Sequence, residues 1–293
     1  MESLFIEAHG KINLILEVGN LRPDGFHEVS MLMQEVELAD TIRLTPLSEA
    51  HADNICRCSI SELSGKDNLA CKAADLMRKQ FRLPPVCIEI EKRIPIAAGM
   101  GGGSSDAAAV IEGMNRLYNL SLSLEEKEKL GALLGSDIPF FFTGGTAIAC
   151  GRGEVIKPCP DIREMPVLLV KPDFGISTPE SYRMFDPQTA EDGPDLSKPM
   201  PSLEDMDAER MSSLMMNHLE KAAILSHPII EEIKASMLRC GARGAMMTGS
   251  GPTVFAIYQD FDTAKEAEDA IRQMYPAYQC VLTKTKKRVE KGA

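Results

Sequence analysis

The sequence predicts an α+β protein of two domains, and three observations carry that prediction. A strand-like run, 86–92, feeds a glycine-rich stretch that opens directly into a helix. Pro158 and Pro160 flank a hinge, which divides the chain near residue 160 into 1–160 and 161–293. Beyond the hinge, strands and helices mix in a second α+β unit. A length of 293 residues suits two ordinary domains, and 44% hydrophobic residues can fill their cores.

In chain order, 2–8 and 10–19 read as strands. In the second, Ile12, Leu14, Leu16 and Val18 alternate with Lys11, Asn13, Ile15 and Glu17. Period two therefore puts Lys11 and Asn13 on one face, opposite the apolar row. Leu21–His27 supplies a Pro-Asp-Gly turn, and 28–38 and 41–47 read as further strands. A helix over 67–81 ends before Pro84 and Pro85. Ser104 and Ser105 suit the start of the next helix, whose buried face is Ala107, Val110, Ile111, Met114 and Leu117. Ser123 and Glu126 make a capping box for a helix over 124–134, with Gly135 as its terminator. A strand follows at 146–151, then a turn at Gly151–Glu154.

The second unit has a buried strand at Pro166–Lys171 and a short helix near Thr178 and Ser181. Residues 187–207, rich in Pro, Asp and Glu, read as a mobile acidic loop. Helices over Met211–Leu225 and Ile229–Arg239 come next. Two strands within Gly241–Tyr258, joined at Gly249–Pro252, precede a helix over 262–274 and a strand over 278–283. The basic tail 284–291 reads as a frayed, solvated end.

Composition narrows the function. A net charge of −11 argues against nucleic acid as a general partner. No apolar run approaches the length of a membrane span and Met1–Gly10 carries no signal-peptide pattern, so the expectation is a cytoplasmic protein. The eight cysteines are scattered, as expected of reduced, packed thiols. His9, His51, His218 and His227 form no cluster.

The chemistry concentrates in Pro95, Ile96, Ala97, Ala98, Gly99, Met100, Gly101, Gly102, Gly103, Ser104 and Ser105. The glycines let the backbone take positive φ and approach a ligand closely. The helix start behind them offers unpaired N–H groups and the positive end of a dipole to an anion. This reads as a phosphate cradle, yet it is neither standard phosphate loop. No Gly-x-x-x-x-Gly-Lys-Ser/Thr occurs, and Ser104 stands where the dinucleotide fingerprint needs its third glycine.

Three stretches, in their order and spacing, resemble the GHMP small-molecule kinases: Gly10–Leu14 with Asp24–His27, then Ile96–Asp106, then Gly249–Val254. The first, with Gly135–Pro139, is similar to the branch that phosphorylates the 2-hydroxyl of a cytidine-diphosphate-linked methylerythritol in non-mevalonate isoprenoid synthesis. A homoserine- or mevalonate-type kinase and a non-catalytic nucleotide sensor are the alternatives. The resemblance implies a ribosomal-S5-like N-terminal half, a ferredoxin-like C-terminal half, ATP and Mg²⁺, and a small-molecule partner; a monomer or weak homodimer is the separate expectation for assembly. It implies that Lys11 and Asp137 are catalytic. It puts the glycine stretch, Lys66 and Asn68 on ATP, and Asn13, Phe26, His27, Thr178, Gly249, Ser250 and Gly251 on the substrate.

Local readings stand beside these. Asp137 also fits a helix N-cap ahead of Pro139, Lys66 and Asn68 the start and cap of the 67–81 helix, and Thr178 a helix cap. Asp106 fits a cap or a Mg²⁺ contact. Gly10 stands where relatives commonly have Ala, and Phe26 where many have Tyr.

Overall fold

Two long strands, β1 (Leu4–Leu21) and β2 (His27–Pro46), stand where the alternation suggests four shorter ones. Their antiparallel ladder absorbs the irregularities as register shifts, one of them between Asn13 and Ile15. A bulge exchanges the faces of a strand. Ile12, Leu14 and Ile15 accordingly share one core cluster, while Leu16 and Val18 join another. The alternation read over 10–19 therefore breaks after Leu14. The structure, a computed structural model, describes residues 3–48, 51–185, 193–196, 198 and 203–289.

Around this hairpin, β3 (Ile55–Cys58), β4 (Val86–Glu91), β5 (Thr146–Cys150) and β6 (Val155–Pro158) complete most of the first sheet, in the order β3-β4-β2-β1. β2 is long enough to pair β4 along Thr41–Pro46 and β5 along Met31–Gln34. Helices α1 (Leu69–Phe81) and α2 (Gly102–Leu117) bury their apolar faces on Ile42, Leu44 and Ile88. Asn68 caps α1 by accepting from Ala70 N–H. α2 starts earlier than its serines suggest. Gly101, at φ 71°, turns the chain, so Ser104 and Ser105 lie inside the first turn. α3 (Leu124–Ala132) carries the expected capping box but ends on Leu133 in the right-handed region, so Gly135 is not its terminator. α4 (Phe140–Thr143) follows.

The second half runs β7 (Pro166–Lys171), α5 (Thr178–Met184), α6 (Ala208–Ser212), β8 (Met216–Asn217), α7 (Glu220–Ser226), α8 (Ile229–Arg239), β9 (Gly244–Met247), β10 (Val254–Ile257), α9 (Phe261–Met274) and β11 (Gln279–Lys284). Its antiparallel sheet has the order β11-β7-β10-β9. Numbered within the unit that is 4-1-3-2, the ferredoxin-like arrangement. α8 and α9 cover it through Ile230, Ile233, Ala264 and Ile271.

Three expectations give way here. The helix over Met211–Leu225 is interrupted, because β8 pairs in parallel with Ile15 and Leu16 of β1. Asn217 holds that break: its amide donates to Met247 O and Gly249 O, and its oxygen accepts from Leu219 N–H. Two tertiary hydrogen bonds and one local one outweigh local helix propensity. The tail is docked through Arg288 rather than frayed, since Thr285 is buried and bridges Val36, and Lys286 N–H donates to Glu35 O at 2.8 Å. Much of 187–207 lies outside the described residues, as do 290–291 of the tail. Within the described part of the acidic stretch, Leu196, Leu203 and Met206 are buried in the core.

Candidate active site

The site is assembled on the edge of β1. Lys11 N–H donates to Met100 O at 3.0 Å, and Asn13 N–H donates to Thr248 Oγ1 at 3.0 Å. The glycine loop and the loop after β9 thus hang on neighbouring residues of one strand. They also interlock with each other. Gly99 sits at φ 72°, and a Cβ on it would lie 2.1 Å from Thr248 O. Only glycine fits such an approach. A cleft of about 1010 Å³ opens beside these loops.

Lys11 is buried, and its ammonium donates to Gly99 O at 2.8 Å and Asn13 Oδ1 at 2.5 Å. Asp137 Oδ2 lies 4.0 Å away. Burial lowers the Lys11 pKa, and the Asp137 carboxylate partly opposes that. Asp137 stands in the turn before α4 and does not cap it: the residue at the cap position is Pro139, with no side-chain bond. Its carboxylate is left to face Lys11.

On the glycine-loop side, a Cβ on Gly103 would meet nothing within 4 Å, so the first turn of α2 opens onto free space. Behind it lies a buried network. Asp40 accepts from Arg93 N–H and Ile94 N–H and pairs with Lys92, whose ammonium also donates to Asp106 Oδ2 at 2.8 Å. Asp106 Oδ1 is buried with no hydrogen-bond partner. Burial pushes the Asp106 carboxyl up to about 7, against the pull of Lys92 and helped by Asp40. Asp106 is therefore tied to the sheet through Lys92 rather than capping α2.

At the other end of the cleft, Phe26 is half-exposed with the Arg152 guanidinium 5.0 Å from its ring centroid. His27 Nδ1 is 3.0 Å from Gly19 O, and the His27 ring lies 5.7 Å from that of Tyr182 and 6.0 Å from that of Phe185. Burial, with Asp137 as a lesser cause, raises the Tyr182 phenol pKa and keeps it a hydrogen-bond donor. Thr178 Oγ1 and Ser250 Oγ are 3.3 Å apart, and the cap of α5 is Ser177 instead of Thr178.

Of the residues named from the sequence, all but three line the cleft. Lys66 points outward and pairs with Asp53 at 2.8 Å. Ser105 is buried behind the loop. Gly251 packs on Met247, whose Sδ would lie 2.4 Å from an added Cβ. Asn68 reaches the cleft wall while its amide caps α1 and donates to Leu63 O. Arg152, Tyr182 and Lys92 also line the cleft. The Gly151–Glu154 turn and the helical step from Thr178 to Tyr182 were the available signals for the first two.

A glycine loop opening into a helix start, a buried ammonium and a facing carboxylate, set between two α+β halves, fit the class of small-molecule phosphotransferase. The chain belongs to the GHMP kinase family: residues 68–145 match the model of the GHMP kinases N terminal domain and residues 199–277 that of the GHMP kinases C terminal domain. It is 38% identical to 4-diphosphocytidyl-2-C-methyl-D-erythritol kinase of Alkaliphilus metalliredigens, over 94% of each chain. Its identity to the protein of the same name from Geobacillus kaustophilus is 41%, over 92% of this chain and 93% of that one. Among solved structures, a 4-(cytidine 5'-diphospho)-2C-methyl-D-erythritol kinase superposes with a TM-score of 0.80 at 31% identity, covering 97% of this chain and 100% of the other. An L. major mevalonate kinase superposes with a TM-score of 0.74 at 16% identity, over 98% and 97% of the two chains, a likeness of fold.

Proposed function

We propose that the protein transfers the γ-phosphoryl group of ATP to the 2-hydroxyl of 4-diphosphocytidyl-2-C-methyl-D-erythritol. The observation that carries the reading is the Asp137 carboxylate, 4.0 Å from the Lys11 ammonium on a cleft wall shared with the glycine loop. The named relatives support the choice of acceptor.

Phosphoryl transfer asks mainly for positioning and charge stabilisation, with one group to receive the hydroxyl proton. Asp137 receives it. Lys11, held by Gly99 O and Asn13, faces the Asp137 carboxylate and offsets charge on the moving phosphoryl. The first turn of α2 and the glycine amides cradle the triphosphate. Phe26, His27 and Tyr182 present ring faces for a pyrimidine, and Arg152 supplies a cation for the acceptor's diphosphate. Phe26 stacks as a tyrosine would but brings no hydroxyl.

Among the described residues, no group of three or more His, Cys, Asp or Glu is placed to hold a metal ion. That fits Mg²⁺, which binds through phosphates, waters and one or two carboxylates. Asp106, with its unpaired Oδ1, is the carboxylate we assign to it. When bound, Mg²⁺ neutralises charge on the transferring phosphates.

We read 1–160 and 161–293 as the two domains, and the protein as a cytoplasmic monomer or weak homodimer. Among the described residues no helix is long and apolar enough to cross a membrane. Incubation of purified protein with ATP, Mg²⁺ and the cytidyl alcohol, homoserine or mevalonate tests the reading. Turnover of the cytidyl substrate alone is expected, and turnover of another alcohol in its place refutes it.

A further inference from the structure

The docked tail has a specific target. The Arg288 guanidinium donates to Thr143 O at 3.1 Å, Gly144 O at 3.2 Å and Thr146 O at 2.8 Å. Its backbone N–H donates to Asp161 Oδ2 at 2.8 Å, and the other Asp161 oxygen accepts from Thr146 N–H at 2.8 Å. Lys286 reaches Glu35 Oε2 at 3.2 Å, and that oxygen accepts from Gly145 N–H at 3.0 Å. Gly144 and Gly145 have positive φ. Added Cβ atoms would lie 2.8 Å from Glu35 Oε2 and 2.2 Å from Asp161 Oδ1 respectively. Charged side chains therefore enclose the two-glycine turn as closely as glycine allows.

This turn closes α4. The last carbonyls of a helix have no partner within it, and Arg288 satisfies two of them. Asp137 stands at the other end of α4. From its side, Phe141 reaches under the glycine loop, its Cζ lying 2.8 Å from where a Cβ on Gly101 would sit. A helix of four residues has few internal bonds, so its anchors set its orientation.

We propose that Arg288 is a positioning residue for phosphoryl transfer. By holding the carbonyl end of α4, it fixes Asp137 opposite Lys11 and Phe141 beneath the glycine loop. The inference rests on the reading of Asp137 as the proton acceptor.

The test uses Arg288→Ala and Arg288→Lys in the full chain, with kcat, both KM values and amide hydrogen exchange measured. Arg288→Ala is expected to lower kcat about tenfold or more while both KM values stay within about twofold. Arg288→Lys, which keeps the charge but not the planar fork, restores part of the loss. Amides over 140–146 exchange faster, while those of α2 and the second sheet do not. An unchanged kcat overturns the proposal. So does faster exchange throughout the chain with kcat and KM changing together, the mark of general destabilisation. If Arg288→Ala does not fold, Arg288→Lys is read against the wild type by the same criteria. Exchange needs no turnover: a clasp that loosens locally in a chain unable to phosphorylate the cytidyl alcohol refutes the substrate assignment and leaves the clasp standing.

Discussion

Replacing Gly99 by Ala should disable the enzyme through backbone geometry alone. Its φ of 72° is left-handed, and an added Cβ would sit 2.1 Å from Thr248 O and 2.9 Å from Gly251 N. The conformation costs an L-residue about 1–2 kcal/mol. The overlap is with main chain, so no side chain can swing away, and overpacking adds about 1–3 kcal/mol. Restoring an ordinary contact of 3.4 Å moves the loop after β9 by about 1 Å. That loop anchors Asn13, and Gly99 O holds the Lys11 ammonium. A misplacement of about 1 Å at a reacting centre costs about 100-fold in rate. Urea unfolding should therefore show a loss of roughly 2–5 kcal/mol, and steady-state assays a kcat/KM lowered about 100-fold. Gly103→Ala is the control. With nothing within 4 Å of its Cβ, it should leave stability intact and raise only the KM for ATP. Wild-type turnover and an unshifted urea midpoint in Gly99→Ala would refute the reasoning.

Asp137→Asn should lower kcat by about 10²–10⁴-fold, with ADP affinity by calorimetry nearly unchanged. Because burial lowers the Lys11 pKa, log kcat should fall on the alkaline side below the ordinary lysine value of 10.5. The residual activity of Asp137→Asn should fall at still lower pH, since the opposing charge is gone; a limb that does not move counts against the pair. Lys92→Met leaves Asp40 and Asp106 buried without their cation and should cost about 3–5 kcal/mol in urea unfolding. Asp106, raised from 3.8 to about 7, holds a proton in the native state that the unfolded chain has released. Its contribution to stability is full below about pH 4 and is lost as pH rises through 7. Asp106→Asn should flatten the stability profile over that window.

What the sequence made legible was local. The Ser123–Glu126 box, the face of α2 and the strand Pro166–Lys171 follow from neighbours in the chain, and they stand where expected. The alternation also put Lys11 and Asn13 together before any contact was known. What stayed illegible was tertiary. β8 is two residues long and exists because Asn217 finds partners on the loop after β9. The tail looks like any basic end until Glu35, Asp161 and three carbonyls meet it. Asp137 could not be told from a helix cap by its neighbours. Its distance to Lys11, a residue from the far end of the same half, favours the other role. Arg152 lies in a turn whose sequence asks only for bending, and its relation to Phe26 comes from the folding of β5 and β6.

The outer edge of β1 is protected only by short segments. A bare strand edge is a template for pairing with another chain. Here the edge is covered piecemeal: Met100 O takes Lys11 N–H, Thr248 Oγ1 takes Asn13 N–H, β8 pairs Ile15 and Leu16, and His218 Nδ1 takes Val18 N–H. Each cover is a segment that also shapes the cleft or its supports. Damage to the loops therefore unmasks an adhesive strand, and loss of catalysis and onset of aggregation should appear in the same variants.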